Sequence, residues 1–137
     1  RDNAGVYRRV PVRISGSSHM PPEPWQLDSL MDTYFEQYTQ LRKQLHPVLL
    51  AAEMHERLVS IHPFIDGNGR TSRLVMNLVL LQNGYTIANL KGDVNSRMAY
   101  YQALEAVRTE NSKLPFYKLV LEAVRTSLQE HLELSGG

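Results

Sequence analysis

Residues 61–73 read IHPFIDGNGRTSR, and they divide the chain. Upstream, starting at Pro47, the residues Val48, Ala51, Ala52, His55, Leu58 and Val59 share one face at helical spacing. A helix therefore runs into the stretch. Downstream, RLVMNLVLLQ is apolar nearly all round, which predicts a buried central helix from about Arg70. Between them Gly67 and Gly69 break the pattern, so the stretch is a loop joining two helices.

Reading outward extends this plan. Leu30, Met31, Tyr34, Phe35, Tyr38, Leu41 and Leu45 recur at three- and four-residue steps, with Pro24 suited to a first helical turn. Asn83-Gly84 ends the central helix. Asp93, Asn95 or Ser96 caps a further helix carrying Met98, Tyr101, Leu104 and Val107. Pro115 opens the last, with Phe116, Leu119, Val120, Ala123, Val124 and Leu128 inward. Near the start, VYRRVPVRISGSS alternates from Val10 to Ile14 and then meets a Ser/Gly turn. With Pro11 and several arginines it predicts a short, exposed edge hairpin. The fold class expected is mainly α, with one β-hairpin near the N-terminus.

The chain has 137 residues, enough for one compact domain with a core of its own. A formal net charge of +1, with no basic cluster, speaks against nucleic acid as a partner. With no cysteine, disulfides and thiolate metal sites are excluded. No apolar run has membrane-spanning length, so no membrane partner is expected. The chain opens on Arg1 without a signal-peptide pattern, and a fragment or processed form is the expectation, as is a cytoplasmic, bacterial-like setting. Residues 134–137, ending SGG, read as a flexible tail.

The chemistry lies in the opening stretch. Glycines beside a helix start let successive N–H groups face one point, and the helix terminus adds partial positive charge. Arg70 and Arg73 add guanidinium forks suited to phosphate. A carboxylate at Asp66 beside bound phosphates calls for a divalent cation such as Mg²⁺. His62 is a side chain that accepts a proton near neutral pH. Each feature has an ordinary structural explanation taken singly: a turn, a core histidine, solvated arginines. Together they are the parts for attack on a nucleotide phosphate.

HPFIDGNGR followed by TSR also resembles, at every fixed position, the motif His-Pro-Phe-x-Asp/Glu-Gly-Asn-Gly-Arg-x-x-Arg of the Fic family. The likeness extends through AGVYRRVPVRISGSSHMPP, HPVLLAAEMHERLVSIHPF, NLVLLQNGY and AYYQALEAV, which is most of the chain. It is greatest to the subgroup with an inhibitory helix before the core. The resemblance implies a Fic-fold helical bundle over residues 1–133, with a flap hairpin at about 6–20 and a catalytic loop at 62–73.

It further implies Mg²⁺-dependent transfer of AMP from ATP to a Ser, Thr or Tyr hydroxyl of a target protein. His62 would be the base and Asp66 the metal ligand. Gly67, Asn68 and Gly69 would form the anion hole, Arg70 would support loop and phosphates, and Arg73 would meet the γ-phosphate. Tyr100 and Tyr101 match positions near the adenosine end, with core packing a rival role for one of them. Pro63 and Phe64 look structural, Phe64 anchoring the loop in the core. Arg9, Val10, Pro11, Val12, Arg13, Ile14, Ser15, Gly16 and Ser17 would dock the target by strand addition.

Alternatives stay open. A Fic-fold enzyme transferring another phosphate-containing group is one, though Gly67 and Gly69 favour nucleotidyl over γ-phosphoryl transfer. A target-binding module without catalysis is another. An inhibitory Ser/Thr-x-x-x-Glu-Gly/Asn helix is not found complete: Thr126 and Glu130 have the spacing, but His131 replaces Gly/Asn, a chance match. Such a helix is expected upstream of Arg1 or on a separate chain. His55 begins a zinc-protease-like HERLV, but Val59 replaces the second histidine, so His55 reads as a helix-face or loop-supporting residue. His19 reads as an exposed turn residue and His46 as a helix boundary.

Overall fold

The computed structural model describes residues 6–136; residues 1–5 and 137, the outer ends of the expected domain and tail, lie outside it. Among the described residues there are five helices: α1 (Leu27–Leu41), α2 (Pro47–Ile61), α3 (Asn68–Gln82), α4 (Val94–Glu110) and α5 (Leu114–Leu134). A 3-10 turn at Pro24–Gln26 leads into α1. The centre is α2, which packs against α3, α5 and α1, while α4 lies on α5. Its sequence explains that place: Ala51 and Ala52 let neighbouring helices approach closely, and every residue from Leu50 to Glu56 is buried. Pro47 sits in its first turn, where a missing N–H costs nothing, and Nδ1 of His46 accepts from the Val48 N–H at 3.1 Å.

Three expectations need correction. First, among the described residues there is no strand, so the hairpin is not formed. Residues 6–23 are a loop whose turn is closed by the Ser17 N–H donating to the Ile14 carbonyl at 3.1 Å. Its main chain bonds the turn between α2 and α3 instead, through the Arg8 N–H to the Pro63 carbonyl at 2.9 Å. Second, α3 begins at Asn68, not Arg70, because Gly67 takes the left-handed N-cap conformation (φ 80°) and Gly69 stays helical. Third, α3 is not buried all round: Met76, Val79 and Leu80 face the core, but Leu74, Leu78 and Leu81 are exposed.

The inward faces shift similarly elsewhere. On α4 the core takes Tyr100, Ala103 and Leu104, while Met98 and Tyr101 are exposed. Phe35 on α1 is exposed as well. Asp93 is the α4 cap, its carboxylate accepting from the Ser96 N–H at 2.7 Å. Beneath α2 the buried Glu53 carboxylate is held by Arg57 (2.7 Å), Lys113 (3.0 Å) and the Tyr117 hydroxyl, binding α2 to α5. No helix of the described residues is long and apolar enough to cross a membrane.

Candidate functional site

The end of α2 and the start of α3 meet at a cavity of about 330 Å³, lined on one side by His62, Asp66, Gly67, Asn68, Gly69, Arg70 and Arg73. Its other walls are Ile14 from the N-terminal loop, Lys91, and Tyr100, Tyr101, Leu104 and Arg108 of α4.

His62 is the residue that ends α2. It stands in the left-handed region (φ 54°, ψ 58°), unusual for a side chain bearing Cβ. Its N–H still donates to the Leu58 carbonyl at 3.0 Å. Ring Nδ1 lies 3.2 Å from the Val59 carbonyl, which can only accept, so Nδ1 carries the proton and Nε2 keeps its lone pair. Burial pushes the ring below its ordinary pKa, the Val59 carbonyl works the other way, and the charges of Arg8, Arg108 and His19 lower it further. The imidazole is thus neutral with a free acceptor nitrogen, the state a base needs.

At the start of α3 the first helical bond is from the Thr71 N–H to the Gly67 carbonyl, at 2.9 Å. The N–H groups of Asn68, Gly69 and Arg70 precede it and have no carbonyl within the helix to bond. Asn68 is buried, and its side chain is committed elsewhere. Its Oδ1 accepts from the Phe64 N–H (2.9 Å) and its Nδ2 donates to the Phe64 carbonyl (2.8 Å). Its main-chain N–H is what it can present to an anion.

Arg70 and Arg73 lie back over the glycines: a Cβ at Gly67 would stand 3.2 Å from Arg70 Nη2, and one at Gly69 3.1 Å from Arg73 Nη1. Arg73 Nη1 also donates to the Tyr100 hydroxyl at 3.4 Å, which is 3.1 Å from Nε2 of His55. Among the described residues no carboxylate pairs with Arg73. Glu130 is not near it: it lines a separate groove between α4 and α5, with Asp93 and Lys118.

The two tyrosines differ in burial. Tyr100 is a core residue, 1 % exposed, that also lines the cavity; Tyr101 is 54 % exposed, with Lys91 Nζ 5.4 Å from its ring centroid. Loop anchoring falls to buried Pro63, while Phe64 is half-buried against Tyr7 at 5.9 Å. Of residues 9–17 only Ile14 lines the cavity; Arg9, Val10, Pro11, Arg13, Ser15 and Gly16 are exposed, and Val12 and Ser17 half-buried. His19 is not a free turn residue, since its Nε2 is 2.9 Å from the Ser60 carbonyl. His55 is wholly buried in the core.

Asp66 is exposed, and one of its oxygens accepts from the Gly67 N–H at 2.8 Å. It is the sole carboxylate of the cavity wall, and no group of three metal-ligating side chains exists among the described residues. A cation here would have to take its remaining ligands from a bound substrate and water, the habit of Mg²⁺.

Two arginines escaped the sequence reading. Arg108 reaches the cavity with its side chain 6 % exposed, its Nη1 donating to Glu105 (3.3 Å) and Ser17 (3.5 Å). Tyr100, Leu104 and Arg108 stand four residues apart, a spacing that places them on one helix face and was the available signal. Arg8 is buried behind His62.

Comparison with known proteins gives the family. Residues 1–80 match the Fic/DOC family. The "Protein adenylyltransferase Fic" of Drosophila grimshawi is 39 % identical over 130 residues, 93 % of this chain and 26 % of that protein. This chain therefore spans about a quarter of that relative's length. A Fic family protein from Desulfovibrio desulfuricans G20 superposes with a TM-score of 0.81 at 26 % identity, over 100 % of this chain and 43 % of that one. Fic-1 from C. elegans gives 0.79 at 28 %, over 98 % and 38 %.

Proposed function

Because the chain belongs to the Fic/DOC family, we propose that it transfers AMP from ATP to a Ser, Thr or Tyr hydroxyl of a target protein. The observation that carries this reading is the His62 ring. Its Nδ1 is tied to Val59 and its Nε2 is open, in one cavity with an amide-bearing helix start and two arginines.

Nε2 of His62 takes the target hydroxyl proton as the oxygen attacks the α-phosphorus. The bond from that phosphorus to the α,β-bridging oxygen breaks, and pyrophosphate leaves. The N–H groups of Asn68, Gly69 and Arg70 receive phosphate oxygens, donors already fixed in direction and needing no rearrangement. Arg70 holds the loop and phosphates, and Arg73 meets the γ-phosphate. Tyr101, beside Lys91, offers a face to the adenine end, while Tyr100 steadies Arg73. Asp66 would hold Mg²⁺ together with the substrate, and the ion would supply charge neutralisation across the phosphates.

The exposed main chain of residues 9–14 is the proposed docking site for the target segment, which would supply the strand partner this loop lacks. Arg73, with only the Tyr100 hydroxyl as its described partner, is the contact an inhibitory glutamate would use, offered from upstream or by another chain.

ATP labelled at the α-phosphate, incubated with the chain, Mg²⁺ and a protein mixture, tests the proposal. Label should appear on protein. Label arriving only from the γ position would make this a kinase, and none from either position would leave a binding module.

A further inference from the structure

Arg8 is 3 % exposed, yet among the described residues its guanidinium meets no carboxylate. Its side-chain partners are all main-chain carbonyls. Nε donates to His62 at 2.7 Å, Nη1 to Val10 at 3.1 Å, and Nη2 to Pro22 at 2.6 Å and Ile61 at 3.4 Å. Its own N–H donates to the Pro63 carbonyl at 2.9 Å. One fork thus joins both flanks of the N-terminal loop to the turn that carries the base.

Burying a cation with no carboxylate paired to it is unfavourable, Glu23 acting on Arg8 only by its charge, and an apolar side chain would fill the space better. What guanidinium alone provides is several donors in a rigid plane, able to fix carbonyls of separate segments at once. The turn needs such fixing. His62 is left-handed, a conformation that is unfavourable for a residue bearing Cβ and persists only when its surroundings enforce it.

We infer that Arg8 is a positioning residue for the base: it holds the His62 turn in its left-handed form and ties it to both ends of the target-docking loop. This rests on the proposed function in treating His62 as the base. Arg8 also adds charge beside the ring, as do Arg108 from α4 and His19 from the loop, behind burial as the main cause of its lowered pKa.

Arg8→Lys tests this, because lysine keeps the charge and loses the fork. Turnover with α-labelled ATP should fall on the order of 10²-fold, the scale of an ångström's misplacement. Calorimetry with ADP and Mg²⁺ should give unchanged affinity, since Arg8 does not touch residues 67–73. Nitrogen NMR of the His62 ring should show the Nδ1-protonated tautomer in the wild type and its loss in the variant. Wild-type turnover with unchanged ring signals would overturn the inference. So would an equal loss of ADP affinity, the mark of general loosening. The ring signals need no turnover: if they shift while the wild type transfers no label, the adenylyl reading falls and Arg8 keeps its role. If Arg8→Lys fails to fold, the wild-type ring decides, and an Nε2-protonated imidazole would refute the pinned turn.

Discussion

In the proposed mechanism His62 and Asp66 hold two separate jobs that their closeness in sequence might blur. The ring is half-buried and surrounded by cations, so it stays neutral to lower pH than an ordinary histidine. The carboxylate is exposed and keeps one oxygen open. His62→Ala should therefore cut transfer by about 10²–10⁴-fold while ADP binding persists, because phosphate donors come from α3. Near-normal turnover of α-labelled ATP would remove His62 from the mechanism. Asp66→Ala should lose Mg²⁺-dependent ATP binding and activity together, and an unchanged metal titration would show the ligand lies elsewhere. Both residues were visible in the sequence as candidates because they sit in one short stretch whose chemistry is local. Arg8 and Arg108 were not. They reach the site from 54 and 46 residues away along the chain, and an arginine reads as solvated until a fold buries it.

At the scale of elements, the helices were legible from periodicity and their ends from Pro47, Asn83-Gly84, Asp93 and Pro115. Their facing was less so. The apolar pattern on α3 and α4 is broad enough to admit several inward faces, and only packing against α2 and α5 selects Met76 over Leu78, and Tyr100 over Tyr101. The N-terminal loop failed as a hairpin for a related reason. Alternation allows a strand, but a strand exists only where a neighbour completes its ladder. The start of α3 gives a sharper test. Gly69 is helical, and alanine there should favour the helix by up to about 1 kcal/mol. Yet its Cβ would press on Arg73 Nη1 at 3.1 Å, displacing the guanidinium from its place at the cavity. Gly69→Ala should therefore keep or raise the melting temperature while weakening ATP binding. A variant that loses stability and affinity in step would mean that the glycine serves the fold alone.

The whole molecule joins its core to its site through His55. That ring packs edge-on to Tyr100 at 5.5 Å and 5.2 Å from Phe116, where α2, α4 and α5 meet. Through the Tyr100 hydroxyl it is linked to Arg73. Burial, then the charges of Arg73 and Arg108, push its pKa down to about 3. In the unfolded chain the ring titrates near 6.5. The folded state therefore refuses a proton that the unfolded state accepts. No penalty exists above pH 6.5, and stability falls as pH drops from there toward about 3. For one such group the loss is up to about 1.4 kcal/mol per pH unit. Glu53 acts in a lower window. Burial alone would raise it, but bonds from Tyr117, Arg57 and Lys113 carry it below its ordinary range, so its contribution is lost only as pH falls through the carboxylate region. Between about pH 6.5 and 4.5 the slope should thus belong to buried histidine, His55 chiefly and His62 in part. Urea unfolding across that range should show stability declining with acid. His55→Leu should start lower at neutral pH by about 1 kcal/mol, for the lost Tyr100 bond, and decline less steeply. An unchanged slope in the variant would show that the acid sensitivity arises outside the aromatic core.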